Sequence, residues 1–468
     1  MKHFTSDLVI GLEIHVELDT KTKLFCSCPT HGSEEPNTRT CEVCLGMPGS
    51  KPVLNKKAVD YAIKLCLALN CKISPELIFS RKSYFYPDMA KNYQISQYEM
   101  PLGKDGGILI NGKTIGITRA HLEEDPASLV HPAGMKDSSY VLVDYNRSGN
   151  PLIEIVTHPD LTSPDEARDF MKQFITVLDY LEIFDVNNGI IKADANVSVR
   201  ESDYTRVEIK NITGFKEIER ALIYEIRRQK EEINHSKKLH QETRSWDSEK
   251  GITFSLRKKE TEEDYGYIID PDLAFVEITD RWISEIKKDM PELAQDKIRK
   301  FVGMGIKKED AEVIASDKFL AELFEKVSSK VSPELSAKWI RRELLRVLNY
   351  NKKTLSDAEI NEAHIIDLLE LVESKKITDN VASKILELLI EKPFDVKGYV
   401  KKEKLEAVSD VSELEKYCRD AIKESPNAVA DYKRGEVKAL NFIIGKVMAK
   451  TRGKADPEAV KTIILDNI

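Results

Sequence analysis

Residues 11–18 read Gly-Leu-Glu-Ile-His-Val-Glu-Leu. Apolar and ionisable side chains alternate through this stretch, the pattern of a β-strand with two unlike faces. Leu12, Ile14, Val16 and Leu18 fall on one face, and Glu13, His15 and Glu17 on the other. The same grammar returns further along the chain. Arg119, His121, Glu123 and Asp125 share a face, and Asp194, Asn196, Ser198 and Arg200 stand opposite Ala193, Ala195, Val197 and Val199. Glu208 and Lys210 repeat it. A single strand with charges outward is ordinary surface chemistry. Here the polar faces carry carboxylates, amides, hydroxyls and imidazoles rather than lysines, which points to a working face. Hard oxygen donors such as Glu13, Glu123, Glu154, Asp194 and Asn196 suit Mg²⁺, which binds through one or two carboxylates plus substrate phosphates. Lys82, Arg147, Arg200 and Lys210 are cations able to hold phosphate oxygens. That inventory fits phosphoryl transfer, where catalysis is positioning plus charge neutralisation. The Gly-rich phosphate loops are missing, so a bound nucleotide is expected on the sheet.

Around this core, short strands are expected at Leu8–Leu18, Gly116–Glu123, Tyr140–Asp144, Leu152–Thr157, Ile191–Arg200 and Arg206–Lys210, separated by Gly, Pro and Asn turns. Helical periodicity covers Lys57–Leu69, Pro164–Leu181 and Phe215–Glu232. Regular strand–helix alternation is absent, which predicts an α+β fold on an antiparallel sheet. After Met290 the pattern becomes almost wholly helical, with Ser332, Ser356, Asp379 and Ser412 as expected helix caps. The charge-dense run Arg227–Lys250 reads as an exposed helix end and loop.

The 468 residues exceed one compact core. Three domains are expected: 1–290 with the sheet, 291–410 helical, and a small helical tail at 411–468. The net charge of −8 excludes a uniformly basic nucleic-acid binder, so any RNA contact must be local. One such patch is 433–461, with eight Lys/Arg against three Asp/Glu. There Leu440, Ile443, Ile444, Val447 and Met448 form an apolar stripe, Gly453 is expected to end the helix, and Lys450, Arg452 and Lys454 are candidate RNA-phosphate contacts. The start lacks a signal-peptide core and no apolar run suits a transmembrane helix, so a cytoplasmic protein without membrane contact is expected. Cys26, Cys28, Cys41 and Cys44 make two close thiol pairs 12 residues apart, the spacing of a closed structural zinc site. His31 lies between the pairs and is expected to be a loop residue. Cys66, Cys71 and Cys418 sit among apolar neighbours and are expected to remain reduced.

Several long segments together resemble a known family. They are 11–18, Arg81-Lys-Ser-Tyr-Phe-Tyr-Pro-Asp88, Lys91-Asn-Tyr-Gln-Ile-Ser96, His121-Leu-Glu-Glu-Asp125, Asp144-Tyr-Asn-Arg-Ser-Gly-Asn-Pro-Leu-Ile-Glu154, Asp194-Ala-Asn-Val-Ser198, Gln241-Glu-Thr-Arg244 and 445–457. In this order, and over essentially the whole chain, they resemble the B subunit of the glutamyl/aspartyl-tRNA amidotransferases. The related archaeal E-type subunit carries a large insert for which this chain has no room. The resemblance implies a cradle-like kinase domain followed by helical domains. It implies transfer of the ATP γ-phosphoryl group to the side-chain carboxylate of misacylated Glu-tRNA(Gln) or Asp-tRNA(Asn), then amidation by ammonia. It also implies a heterotrimer with an amidase subunit and a small third subunit. Carried over by motif, Glu13, His15, Glu123 or Glu124, Glu154 and Asp194 are expected around Mg²⁺ and ATP. Lys82, Arg147 and Lys210 are expected phosphate contacts, with Asn196 and Ser198 beside them. No Ser–Ser–Lys amidase signature is present, so ammonia must come from a partner. Two rival readings share parts of this inventory: a free-standing ATP-dependent kinase or ligase for a small carboxylate, and a non-enzymatic RNA-binding protein.

Overall fold

The computed structural model describes residues 4–134, 138–185, 189, 191–257, 265–407 and 411–468. They form two compact units, Met1–Leu293 and Ala294–Ile468.

In the first unit the strand Leu8–Glu17 lies in the middle of a nine-stranded sheet. Pro151–Thr157 and Ile191–Val199 flank it, both antiparallel. The sheet continues on one side through Lys113–Glu124, Gly103–Ile110 and Lys72–Ile73. On the other side it continues through Val207–Thr213, Glu242–Asp247 and Ile252–Arg257. Val207–Thr213 and Glu242–Asp247 run parallel, so the sheet is mixed where an antiparallel one was expected. The cause is the helix Phe215–Asn234 between them, which returns the chain over the sheet before the next strand begins. The segment 140–144 also departs from expectation. Only Leu142–Asp144 is extended, and it pairs with Ser128–Val130 in a separate two-stranded ribbon.

The alternation at 11–18 settles which face is dry. Leu12, Ile14 and Val16 are fully buried, packed in one core with Ala58, Ile63, Phe170, Phe174, Ile218 and Leu222 from three helices. Those helices are Lys56–Ala68, Pro164–Leu181 and Phe215–Asn234. The second begins where its chemistry says it should. Ser163 accepts from the Glu166 N–H, Pro164 occupies the first turn, and Asp165 and Glu166 oppose the helix dipole there. With three helices on the apolar face, the polar face of the central strands is left for ligands.

The helix end and the loop after it, 234–238, are exposed as expected, but the run Arg227–Lys250 also carries buried ion pairs. Glu225 is fully buried and receives Arg228 at 2.5 Å and Arg244 at 3.4 Å, and both guanidinium side chains are only 12% exposed. Arg228 lies one helical turn from Glu225, and Arg244 reaches it from the strand Glu242–Asp247, so a charge-rich stretch folds into a paired network.

The second unit is helical, from Ala294–Gly303 to Pro457–Asn467, with a π-helical segment at Trp339–Leu344. Ser332 caps its helix as expected. Ser356 does not: the next helix is Glu362–Glu373, capped by Asn361 in a capping box with His364. Thr378, one residue before Asp379, caps Asp379–Glu391. Helix Val411–Lys423 is already under way at Ser412. Residues 411–468 hold their own apolar cluster, including Leu414, Cys418, Leu440, Ile443, Val447, Val460 and Ile464. No helix among the described residues is long and apolar enough to cross a membrane.

Candidate functional site

Cross-strand register assembles the site. Glu154 stands opposite His15 on one side and His121 on the other. In the next row Leu152 lies between Glu17 and Glu123. Directly opposed residues share a face, so all of these point away from the apolar core. His15 Nε2 is 3.6 Å from Glu123 and 3.4 Å from Glu154, and one ligand atom from each lies within 4.8 Å of the others. His121 Nε2 is 3.9 Å from Glu123 and 3.6 Å from Glu154, and Arg119 reaches Glu154 at 3.8 Å. Both Glu123 and Glu154 are buried residues.

Crowding sets the protonation of this group. Burial lowers the His15 imidazole, but the bond and charge of Glu154, with Glu123 and Asp194, outweigh it and raise it to about 9. Burial pushes His121 down to about 4. Burial and the charge of Glu154 push Glu123 up to about 7. Burial opposes the charge on Glu154 too, yet the imidazoles of His121 and His15 and the Lys82 ammonium hold its carboxyl well below the usual range. Two crowded carboxylates beside an imidazole form a site where a dication, displacing the proton of His15, would be well matched.

A second polar group lies on the neighbouring strands. Glu13 stands opposite Asp194, and Asn196 opposite Glu208. Asn196 donates to Glu13 at 2.9 Å, and Lys210 lies 2.7 Å from Asp194 and 3.8 Å from Glu208. Burial would lower the Lys210 ammonium, but Asp194, Glu208 and Glu13 raise it overall. Ser198, two residues beyond Asn196, is buried on the same face. Lys82 stacks over Tyr265 at 4.7 Å, and its charge is felt by Glu123, Glu154 and His121.

Other expected residues lie elsewhere. Glu124, the alternative to Glu123, takes Lys91 at 2.5 Å and the Ile95 N–H at 2.8 Å, so it stands apart from the His15 group. The pleat explains this, since adjacent residues of a strand face opposite ways. Arg147 is held by Asp125 at 2.5 Å. Arg200 is exposed beyond the strand end and pairs with Asp7 at 2.9 Å. Sequence reading placed His121 on the polar face but gave it no role. Arg119 likewise went unassigned. Their signal was the alternation of 119–125, which became specific only with the register against Glu154.

The four clustered cysteines converge. Cys44 Sγ is 3.8 Å from Cys41 Sγ and 4.0 Å from Cys28 Sγ, and all four sulfurs lie within 4.8 Å of one another. Zinc–thiolate bonds of ~2.3 Å in a tetrahedron set sulfurs ~3.8 Å apart, so the cluster fits zinc. A bond from Cys26, the Cys41 N–H and the charge of buried Lys23 hold the Cys44 thiol down at about 5 against burial. Burial pushes Cys28 up to about 12. His31 stands apart from the sulfurs and pairs with Asp19 at 3.6 Å.

In the second unit Leu440, Ile443 and Val447 bury the stripe of Lys438–Lys450, which ends through Arg452 and Gly453, both at positive φ. The Gly453 N–H returns to the Met448 carbonyl at 2.8 Å. Of the three candidate tail cations, Lys450 pairs with Glu424 at 2.7 Å and Lys454 donates to the Lys404 carbonyl. Among the described residues Arg452 makes no ion pair, and it lines a groove with Asn380, Ser383, Lys384 and Glu387.

The family model described as the GatB/GatE catalytic domain matches residues 8–284, and that described as the GatB domain matches 322–468. The chain is 44% identical over 474 residues to the B subunit of the aspartyl/glutamyl-tRNA(Asn/Gln) amidotransferase of Carboxydothermus hydrogenoformans, covering 99% of this chain and 98% of that one. It is 44% identical to the corresponding B subunit of Thermodesulfovibrio yellowstonii, covering 98% of each chain. The B subunit of Haloquadratum walsbyi is 41% identical, with 98% of this chain and 97% of that one covered. Similarity at this level across both units means that the chain belongs to the family of aspartyl/glutamyl-tRNA amidotransferase B subunits.

Proposed function

We propose that this chain activates the side-chain carboxylate of a misacylated tRNA with ATP, on Glu-tRNA(Gln), Asp-tRNA(Asn) or both. The observation that carries the reading is the convergence of Glu123, Glu154 and His15 on the open face of the sheet, in a chain of this family. The relatives' names supply the substrate class. A carboxylate is a poor acyl donor, because amide formation would have to expel an oxide. Moving the γ-phosphoryl group of ATP onto a carboxylate oxygen releases ADP and leaves an acyl phosphate. Ammonia then adds at the acyl carbon, phosphate departs, and the amide remains.

His15, Glu123 and Glu154 would hold Mg²⁺, whose charge offsets that of the phosphates. Glu13 and Asp194 complete the acidic surround. Lys210 and Lys82 would hold phosphate oxygens, with Asn196 and Ser198 beside the nucleotide; Arg147, held by Asp125, is not assigned to the phosphates. Lys210 suits this task because two carboxylates already fix its ammonium in place.

The sheet unit is read as the cradle-like kinase domain, residues 1–290. Residues 291–410 are read as a helical spacer and 411–468 as the tRNA-binding tail. The four cysteines are read as a structural zinc site. Ammonia would come from an amidase subunit, in a cytoplasmic heterotrimer with a small third subunit. The deciding experiment compares ATP turnover with misacylated tRNA, uncharged tRNA and no RNA. Stimulation by the misacylated form alone supports this reading. Turnover without RNA would make the chain a small-molecule kinase. Silence with every partner would make it a binding protein.

A further inference from the structure

One end of the polar face opens into a cavity of about 280 Å³. Its walls come from the end of the central strand at Glu17 and Asp19, from the cysteine-bearing loop at Thr30 and Arg39, and from the segment that carries Arg147 and Asn150. Five carboxylates and two guanidiniums line it. Both guanidiniums are engaged, Arg147 by Asp125 at 2.5 Å and Arg39 by the Thr30 carbonyl. By count the lining stays acidic, five carboxylates against two guanidiniums, with the Lys192 ammonium near Glu17 and Asp125.

Acidity alone would say little, but Asn150 adds a second observation. This residue is only 3% exposed. Asn150 is one of the lining residues; its side-chain N–H donates to Glu17 at 2.5 Å, while its buried Oδ1 has no partner. A buried carbonyl oxygen without a donor is unfavourable unless something binding there supplies one. The Nε of Arg39 is likewise buried without an acceptor. One unmatched acceptor amid carboxylates, and one unmatched donor, complement a primary amine beside an ester carbonyl.

Spacing connects this cavity to the metal-ligating group. Glu17 lies two residues beyond His15 on the same face, ~7 Å along the strand. In an extended glutamyl or aspartyl ester the α-nitrogen and the side-chain carboxylate carbon are roughly 4–5 Å apart, at ordinary bond lengths. An amine seated at Glu17 and Asn150 would thus set its carboxylate at the row of His15 and Glu154. We propose that this cavity seats the α-amino group of the aminoacyl ester and aims the side-chain carboxylate at His15, Glu123 and Glu154. The inference rests on the phosphorylation reading above and adds how the acyl group is recognised.

The test compares Glu-tRNA(Gln) with N-acetyl-Glu-tRNA(Gln) as substrates of the assembled enzyme, following ADP release that depends on each. Acetylation is expected to lower kcat/KM roughly ten- to a hundred-fold, the loss of one or two charge-assisted hydrogen bonds. Glu17→Gln and Asn150→Leu should lower kcat/KM on the free amine by a similar factor, leave the acetylated substrate unchanged, and leave the KM for ATP unchanged. Should Asn150→Leu fail to fold, the half-buried Glu17→Gln still carries the test. Equal rates on the two esters by the wild-type enzyme would overturn the cavity assignment while leaving phosphorylation intact. A parallel fall on both esters in the variants would also overturn it. No phosphorylation of either ester would instead remove the underlying reading.

Discussion

Glu154 is the residue on which the candidate site turns, because the sheet sets it between two imidazoles while Glu123 and Arg119 approach from the side. Glu154→Gln keeps the shape and removes the charge. Phosphorylation of the aminoacyl group should fall on the order of 10²-fold or more, as for removal of one preorganised charge-stabilising interaction. The affinity for tRNA should stay nearly unchanged, since only the aminoacyl group is assigned to this face and the phosphate contacts are assigned to the tail. Single-turnover ADP release and tRNA binding, measured on the same preparation, separate the two. A variant as fast as wild type would take Glu154 out of the site.

At the scale of the element, the cysteine-bearing loop does more than bring four sulfurs together. The Leu24 N–H donates to the Gly149 carbonyl at 2.8 Å, Arg39 N to Asn146 Oδ1 at 2.7 Å, and Asn37 N to Asp144 Oδ1 at 2.9 Å. The loop thus buttresses the segment that carries Arg147 and Asn150. One tightly held zinc per chain is expected on metal analysis. Stripping it should expose residues 24–48 to protease before phosphoryl transfer is lost, because the site has no open coordination position. Finding no zinc, with Cys26 and Cys44 joined in a disulfide, would refute this. The elements also show what was legible beforehand. The dry and wet faces of 11–18 followed from alternation alone, and Leu12, Ile14 and Val16 are indeed sealed. The choice of Glu123 over Glu124 for the shared face with His121 followed from the same parity. The parallel pairing of Val207–Thr213 with Glu242–Asp247 did not follow, because pairing direction depends on where a helix delivers the chain. Nor did the burial of Arg228 and Arg244, since a charged run carries no mark of whether its partners lie across the fold or in water.

At the scale of the whole molecule, the proposed function divides activation and ammonia supply between chains and assigns RNA contact to the tail. The isolated chain should hydrolyse no glutamine, as amino-acid analysis after incubation would show. Free ammonium with ATP and misacylated tRNA should restore weak amide formation. For the tail, replacing Lys450, Arg452 and Lys454 with Ala should weaken tRNA binding and flatten its salt dependence, by ~0.7–0.9 in log–log slope for each phosphate ion pair removed. The internal partners of Lys450 and Lys454 assign the largest single share to Arg452. Affinity unchanged at every salt concentration would reassign the tail to holding other subunits.

The strand Leu8–Glu17 leaves the ribosome well before either of its neighbours, which are encoded far downstream, at Pro151–Thr157 and Ile191–Val199. At ~5–20 residues per second, it waits on the order of ten seconds or more for them. During that interval its backbone is unpaired on both edges and its row of Leu12, Ile14 and Val16 is exposed. Such a segment is a natural client for a nascent-chain chaperone. A chain truncated before residue 190 would carry a hydrophobic strand with no second partner and be prone to self-association. The placement that puts His15 at the centre of the sheet therefore also makes the chain's synthesis its most vulnerable moment.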